Sequence, residues 1–247
     1  RLFYRENFRR VPHDEIGNII ERPQITDSYC KHFLESFDRK VMNNPKQPHV
    51  VVDLLNGTTD EVFPHILNML GIDSVVLNSY QNEHKLARTM SIMEQNVATL
   101  STIVTTLKSD LGVFISPHAE RLYVTTDTGE FLTPERLLLT MIMLMDMTAE
   151  KPQKIYVPAA LPTILDKSLE KTQLLRCKFV GLKANFIRDF DLVADLTSEF
   201  IFPEHSLGPD GMYTAIKGLE MLQKLHMKLS EVVAKIPAYH YTYNAIN

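Results

Sequence analysis

An α/β fold of two consecutive three-layer α/β/α units is predicted by three observations on this chain. Short apolar runs of strand length alternate with longer segments whose apolar residues recur every three or four positions. One such set is complete by about residue 148, and a second begins after a charged, proline-bearing linker at 148–153. With 247 residues the chain is long enough to bury two cores, so the expected domains are 1–148 and 149–247.

In chain order, Leu2 to Val11 reads as a strand, with Arg5, Arg9 and Arg10 on a solvated face, and Pro12 to Gly17 as a polar connector. Asp27 to Val41 places Tyr29, Phe33, Phe37 and Val41 four apart, one stripe of a helix. His49 to Leu55 is a near-continuous apolar run, as in a parallel strand covered on both faces. Asn56-Gly57-Thr58-Thr59 turns the chain, and Asp60 is placed to cap a helix that Gly71 stops. Ser74 to Leu77 is a second strand. Glu83 to Lys108 is a long helix whose stripe, from Leu86 through Val97 and Leu100 to Leu107, is expected to pack on the sheet. Leu111 to Ile115 and Leu122 to Thr126 are strands joined by the loop Ser116 to Arg121, and a helix runs from Pro134 to Met147. The second unit opens with a strand at Lys154 to Val157 and a helix from about Pro162 to Lys171. Strands at Leu174 to Val180, Leu192 to Leu196 and Ser198 to Phe202 follow, then helices from Gly211 to Leu225 and Leu229 to Ile236.

Composition excludes several classes of function. Hydrophobic residues make up 45% of the chain, and the 26 basic and 30 acidic residues are dispersed, so the net charge of -4 gives no field that would hold nucleic acid or an anionic membrane. The run Leu137 to Met147 is too short to cross a bilayer. Cys30 and Cys177 lack metal-ligand spacing and suit a reducing compartment, so a cytoplasmic location is expected. No signal peptide is visible, and a start at Arg1 without Met leads us to expect a piece of a longer polypeptide.

The loop Ser116-Pro117-His118-Ala119-Glu120-Arg121 carries the functional signal. Alternate side chains of so short a loop can converge on one hard cation, but Mg²⁺ wants oxygen donors in octahedral array, and only Glu120 clearly qualifies. Ser116 is a weak neutral ligand, and imidazole at His118 suits softer metals. The strand–loop–strand outline around it is similar to domain 2 of the phosphohexomutases, the phosphomannomutase/phosphoglucomutase superfamily, where the loop reads Asp-Gly-Asp-Gly-Asp-Arg and holds Mg²⁺ beside a phosphoserine. The resemblance extends to Asp27-Ser-Tyr29 with Phe33, to Val51-Val-Asp-Leu-Leu-Asn-Gly57, and to the stretch from Phe200 to Tyr213 with Leu229-Ser-Glu231. Gly181-Leu-Lys183 resembles the family's domain 3 Gly-Phe-Lys segment. Leu196-Thr-Ser-Glu199 stands where that domain reads sugar hydroxyls with Gly-Glu-X-Ser-Gly-His.

The resemblance implies the fold of phosphohexomutase domains 2 and 3, with the loop facing the cleft between them. The ligand candidates it implies are Ser116, His118, Glu120, Arg121, Lys183 and Glu199, no residue is assigned to catalysis, and no cofactor is expected beyond weak Mg²⁺ binding at Glu120. The expected ligand is a hexose phosphate or phosphate ion near Arg121. Phe3 to Arg10 with Asp14-Glu-Ile-Gly17 also resembles the approach to domain 2 in a subgroup fused behind a mannose-1-phosphate guanylyltransferase type of domain. That implies a noncatalytic module partnered by an upstream domain of the same polypeptide; the alternative is a fragment of a mutase interconverting hexose 1- and 6-phosphates.

Overall fold

The computed structural model describes residues 4–5, 10–22, 24–42, 47–82, 90–177 and 184–241. Two four-stranded sheets are built on one plan. In the first, β1 (His49–Asp53) lies between β2 (Asp73–Leu77) and β3 (Leu111–Ile115), both parallel to it, and β4 (Leu122–Thr126) closes the order β2-β1-β3-β4 as an antiparallel edge. In the second, β5 (Gln153–Pro158) lies between parallel β6 (Thr172–Cys177) and β7 (Leu192–Ala194), and β8 (Phe200–Ile201) is the antiparallel edge.

Strand alternation decides where each core lies. Val50 and Val52, Leu111, Val113 and Ile115 point to one face of the first sheet, while Val51 and Phe114 point to the other. Ile155 and Val157, with Leu192 and Ala194, do the same in the second sheet, opposite Tyr156 and Val193. The inner faces of both sheets share one continuous core. It is filled by α1 (Gln24–Glu35), α2 (Arg39–Met42), α3 (Phe63–Met69), α5 (Pro134–Thr148), α7 (Gly211–Leu225) and α8 (Leu229–Ala234). The outer faces are covered separately, by Leu100 and Val104 of α4 (Met90–Leu107) and by Ile187 of α6 (Ala184–Ile187). The α4 stripe therefore packs on its sheet through Val97, Leu100 and Ile103, but Val104 continues the buried face and Leu107 is exposed.

Several elements depart from the sequence reading. The helix expected over 27–41 breaks at residues 36–38, where the Ser36 hydroxyl bonds back to the His32 carbonyl and Asp38 starts α2 by accepting the Lys40 N–H. Asp60 does not cap α3; it accepts from the Gln81 amide, and α3 begins after Val62 with a proline in its first turn. The helix expected over 162–171 is a single 3₁₀ turn, Thr163–Leu165. The Arg176 guanidinium takes the carbonyls of Leu161 and Pro162 and the Asp166 carboxylate, while Asp146 takes the N–H groups of Glu170 and Lys171. Backbone groups that a helix needs are thus committed elsewhere. The strand expected from Ser198 starts at Phe200, because Ser198 is left-handed at φ 69°. Most of the strand expected over 2–11, the start of the long helix at 83–89, and residues 178–180 lie outside the described residues.

Part-buried polar groups tie two of the helices together. Asp210 caps α7 through the Tyr213 N–H and also accepts from the Tyr29 hydroxyl at 2.7 Å, tying α1 to α7. The His205 ring, stacked between His32 and Tyr213, lies 3.3 Å from the same carboxylate. Burial, then Asp210, pushes the Tyr29 hydroxyl pKa up, so the proton stays on the phenol. Among the described residues no helix is long and apolar enough to cross a membrane.

Asp146, at the end of α5, gives a test of this packing. Burial opposes its charge, but the N–H groups of Glu170 and Lys171 hold its carboxyl below the usual range. A depressed carboxyl stabilises the fold above the unfolded pKa, and that stabilisation is lost as pH falls through the folded value. Asp146→Ala is expected to lower stability in urea by about 2 kcal/mol at neutral pH. The gap to the unsubstituted protein should shrink below about pH 4.

Candidate functional site

The loop Ser116–Arg121 leaves the carboxyl end of β3, the end of a parallel sheet at which ligands gather. Its shape is set by its own backbone. The Ser116 N–H donates to the Arg121 carbonyl at 3.0 Å, the Ala119 N–H to the Ser116 carbonyl at 2.8 Å, and the Ser116 hydroxyl accepts the Arg121 N–H at 3.0 Å. Ala119 turns the chain in the left-handed region at φ 64°. One neighbour is the turn after β1: the Thr58 N–H donates to the Pro117 carbonyl, and a Cβ on Gly57 would lie 2.4 Å from Pro117 Cα. That contact leaves room for glycine alone.

The other neighbour is the second sheet. Arg121 and Glu199 form an antiparallel bridge, the Leu122 N–H donates to the Ser198 carbonyl at 3.1 Å, and the Gly211 N–H at the start of α7 donates to the Ala119 carbonyl at 2.6 Å. Arg121 Nε then donates to Glu199 Oε1 at 2.9 Å, and this hydrogen bond raises the guanidinium pKa. Asp195 shapes the facing turn by accepting the N–H groups of Thr197 and Glu199. Gly211 has no room for a side chain, since a Cβ would meet the Arg121 and Ala119 carbonyl oxygens at 3.0 and 3.1 Å.

Of the six candidates, the structure brings Ser116, Arg121 and Glu199 together. His118 and Glu120 stand on the same loop without joining them, and Lys183 lies outside the described residues. Among the described residues no three of His, Cys, Asp or Glu come together as a metal-holding group. Sequence reasoning did not place Asp195, Gly57 or Gly211 in the site; it read Gly57 as a turn residue and Gly211 as a helix start. Asp195 carries a local signal, an Asx turn two residues before Thr197, whereas the glycines are explained only by what they touch.

Known proteins share the sequence pattern and the fold. Residues 27–129 match the family model for phosphoglucomutase/phosphomannomutase, alpha/beta/alpha domain II. The chain is 27% identical over 237 residues to a probable phosphoglucosamine mutase of Methanosarcina acetivorans, covering 95% of this chain and 52% of that protein. It is 26% identical over 246 residues to a phosphoglucomutase/phosphomannomutase of Thermococcus kodakarensis, with coverage of 97% and 53%. A putative phosphomannomutase from Thermus thermophilus superposes with a TM-score of 0.75 at 15% identity, over 90% of this chain and 52% of that one. A phosphoglucomutase/phosphomannomutase family protein from Burkholderia thailandensis gives 0.72 at 18% identity, over 87% and 47%. At these identities the superpositions speak for the fold: two modules resembling the two α/β/α domains of phosphohexomutases. The chain spans about half the length of the relatives it matches.

The two tight positions make opposite predictions. Ala119→Gly relieves a left-handed alanine and is expected to raise stability by roughly 0.5–1 kcal/mol in urea. Gly57→Ala should lower it by more than about 2 kcal/mol, because Pro117 is backbone and cannot step aside.

Proposed function

We propose, from the match of residues 27–129 to the phosphoglucomutase/phosphomannomutase domain II model and from relatives aligned across both modules, that this chain is of the phosphohexomutase superfamily and supplies domains 2 and 3 of a polypeptide that interconverts hexose or hexosamine 1- and 6-phosphates. On this reading the domains divide near residue 148, and the phosphoryl-transfer nucleophile comes from another part of the polypeptide. The observation that carries the reading is continuity: relatives named as phosphomutases align over 95% and 97% of the chain, across both modules. A mutase-like module behind a sugar nucleotidyltransferase is the second reading, and it rests on the wording of the loop and of residues 3–10.

Within the chain, Arg121 is assigned to the phosphate of the sugar, because a guanidinium fork matches phosphate oxygens. Glu199, as its present partner, competes with that anion. The loop does not fit magnesium. Ser116 offers a neutral oxygen that already accepts the Arg121 N–H, position 118 offers an imidazole, and Glu120 alone offers a carboxylate. No step of the chemistry is therefore assigned to a metal held by these residues, and binding and positioning remain as their work.

A coupled assay on this chain and on its whole polypeptide tests the function. Interconversion by the whole polypeptide, with none above blank by the chain alone, is the expected result; nucleotide-sugar synthesis without interconversion would put the second reading first. For the phosphate site, Arg121→Ala should remove one mannose 6-phosphate site from the calorimetric titration, while Glu199→Gln should tighten that site several-fold; an unchanged number of sites and unchanged affinities in Arg121→Ala remove the assignment. Titration with Mg²⁺ should show no saturable micromolar site, and one that disappears in Glu120→Ala would refute the metal-free loop.

A further inference from the structure

A second site with binding chemistry lies at the opposite end of β7 from Glu199. There, at the amino ends of β5 and β7, an open pocket of about 430 Å³ is walled by Lys151, Gln153, Arg188, Asp191, Glu204 and Lys217. These charges are not equivalent. Glu204 accepts from the Tyr213 hydroxyl at 2.9 Å and pairs with Lys217 at 3.1 Å, and Lys217 also reaches Glu220 at 3.5 Å. Asp191 accepts the Lys154 N–H at 2.8 Å. Both acids of the pocket, and one of its cations, thus have partners inside the protein. Lys151 and Arg188 have no ion pair or hydrogen bond among the described residues, and both are exposed. The buried Gln153 carboxamide oxygen on the same wall has no donor either.

We propose that this pocket binds a phosphate monoester, its phosphoryl group on Lys151 and Arg188 and a hydroxyl of the ester on Gln153. A guanidinium fork and an ammonium point charge lining one cavity are the kind of donors that phosphate oxygens take. The cavity is of small-molecule size, on the order of 300–1,000 Å³, and much larger than a bare phosphate ion, so an organic portion is needed to fill it. An aromatic wall at Phe190 gives that portion an apolar contact. An unpartnered buried acceptor favours a ligand that brings a hydroxyl donor. The charge argument is specific to this end of the sheet, since Arg121 at the other end is already paired.

The test uses the Arg121→Ala chain, so that the loop site is silent and failure of one proposal is not failure of the other. Mannose 6-phosphate, inorganic sulfate and unphosphorylated mannose are titrated by calorimetry. The expected result is one saturable site for the phosphate ester, no binding of mannose, and a loss of affinity of about tenfold or more when Lys151→Ala and Arg188→Ala are added. Gln153→Leu should weaken the ester without changing sulfate. Circular dichroism checks that the surface variants keep the fold. Absence of ester binding, an affinity indifferent to Lys151 and Arg188, or sulfate binding as tightly as the ester, the mark of a bare cationic patch, would each overturn the proposal.

Discussion

The antiparallel seam where Arg121 and Leu122 meet Ser198 and Glu199 is the constraint on which the rest of this molecule turns. It joins the loop after the third strand of one sheet to the turn before the last strand of the other. The Arg121–Glu199 ion pair is partly exposed and contributes on the order of 1 kcal/mol or less. The geometry comes from the backbone: two hydrogen bonds, one from Leu122 and one from Gly211, hold carbonyls that the loop and the turn would otherwise leave to water. Behind the seam the shared helical layer gives both sheets one core, so the loop is held from below as well as across.

Shape and side-chain chemistry have different sources in this loop. Its turn has Ala119 in the left-handed region and Gly57 pressed against Pro117. Backbone contacts with Thr58 and Gly211 hold that turn whatever its side chains carry. The side chains at 116, 118 and 120 are not part of any buried core, and the Ser116 hydroxyl bonds within the loop itself. A loop whose conformation is imposed from outside can change its exposed side chains and keep its form.

Legibility from sequence followed the range of the interactions. The strands at 111–115 and 122–126, the helix from Pro134 and the helix from Gly211 were readable because hydrophobic period, proline and turn residues are local signals. Two of the misread segments share a long-range cause. Over 162–171 local propensity favoured a helix, but Arg176 and Asp146 took the backbone groups from outside the segment. At residues 36–38 the break is stabilised by Glu220, 182 residues away, which accepts the Asp38 N–H. In the candidate site, Arg121 and Glu199 were both legible as residues, and their pairing was not.

By itself, then, the sequence determined the α/β class, the repeat of the strand pattern and the position of the loop, because each depends on residue type and near-neighbour spacing. Only the tertiary structure decided that the two sheets share a helical core, that Glu199 occupies Arg121, that Gly57 and Gly211 are packing requirements, and that Lys151 and Arg188 line one pocket. Those facts depend on which groups are brought together across many tens of residues. Such contacts form by complementarity of surfaces that exist only once both sheets have folded, and no local pattern encodes them.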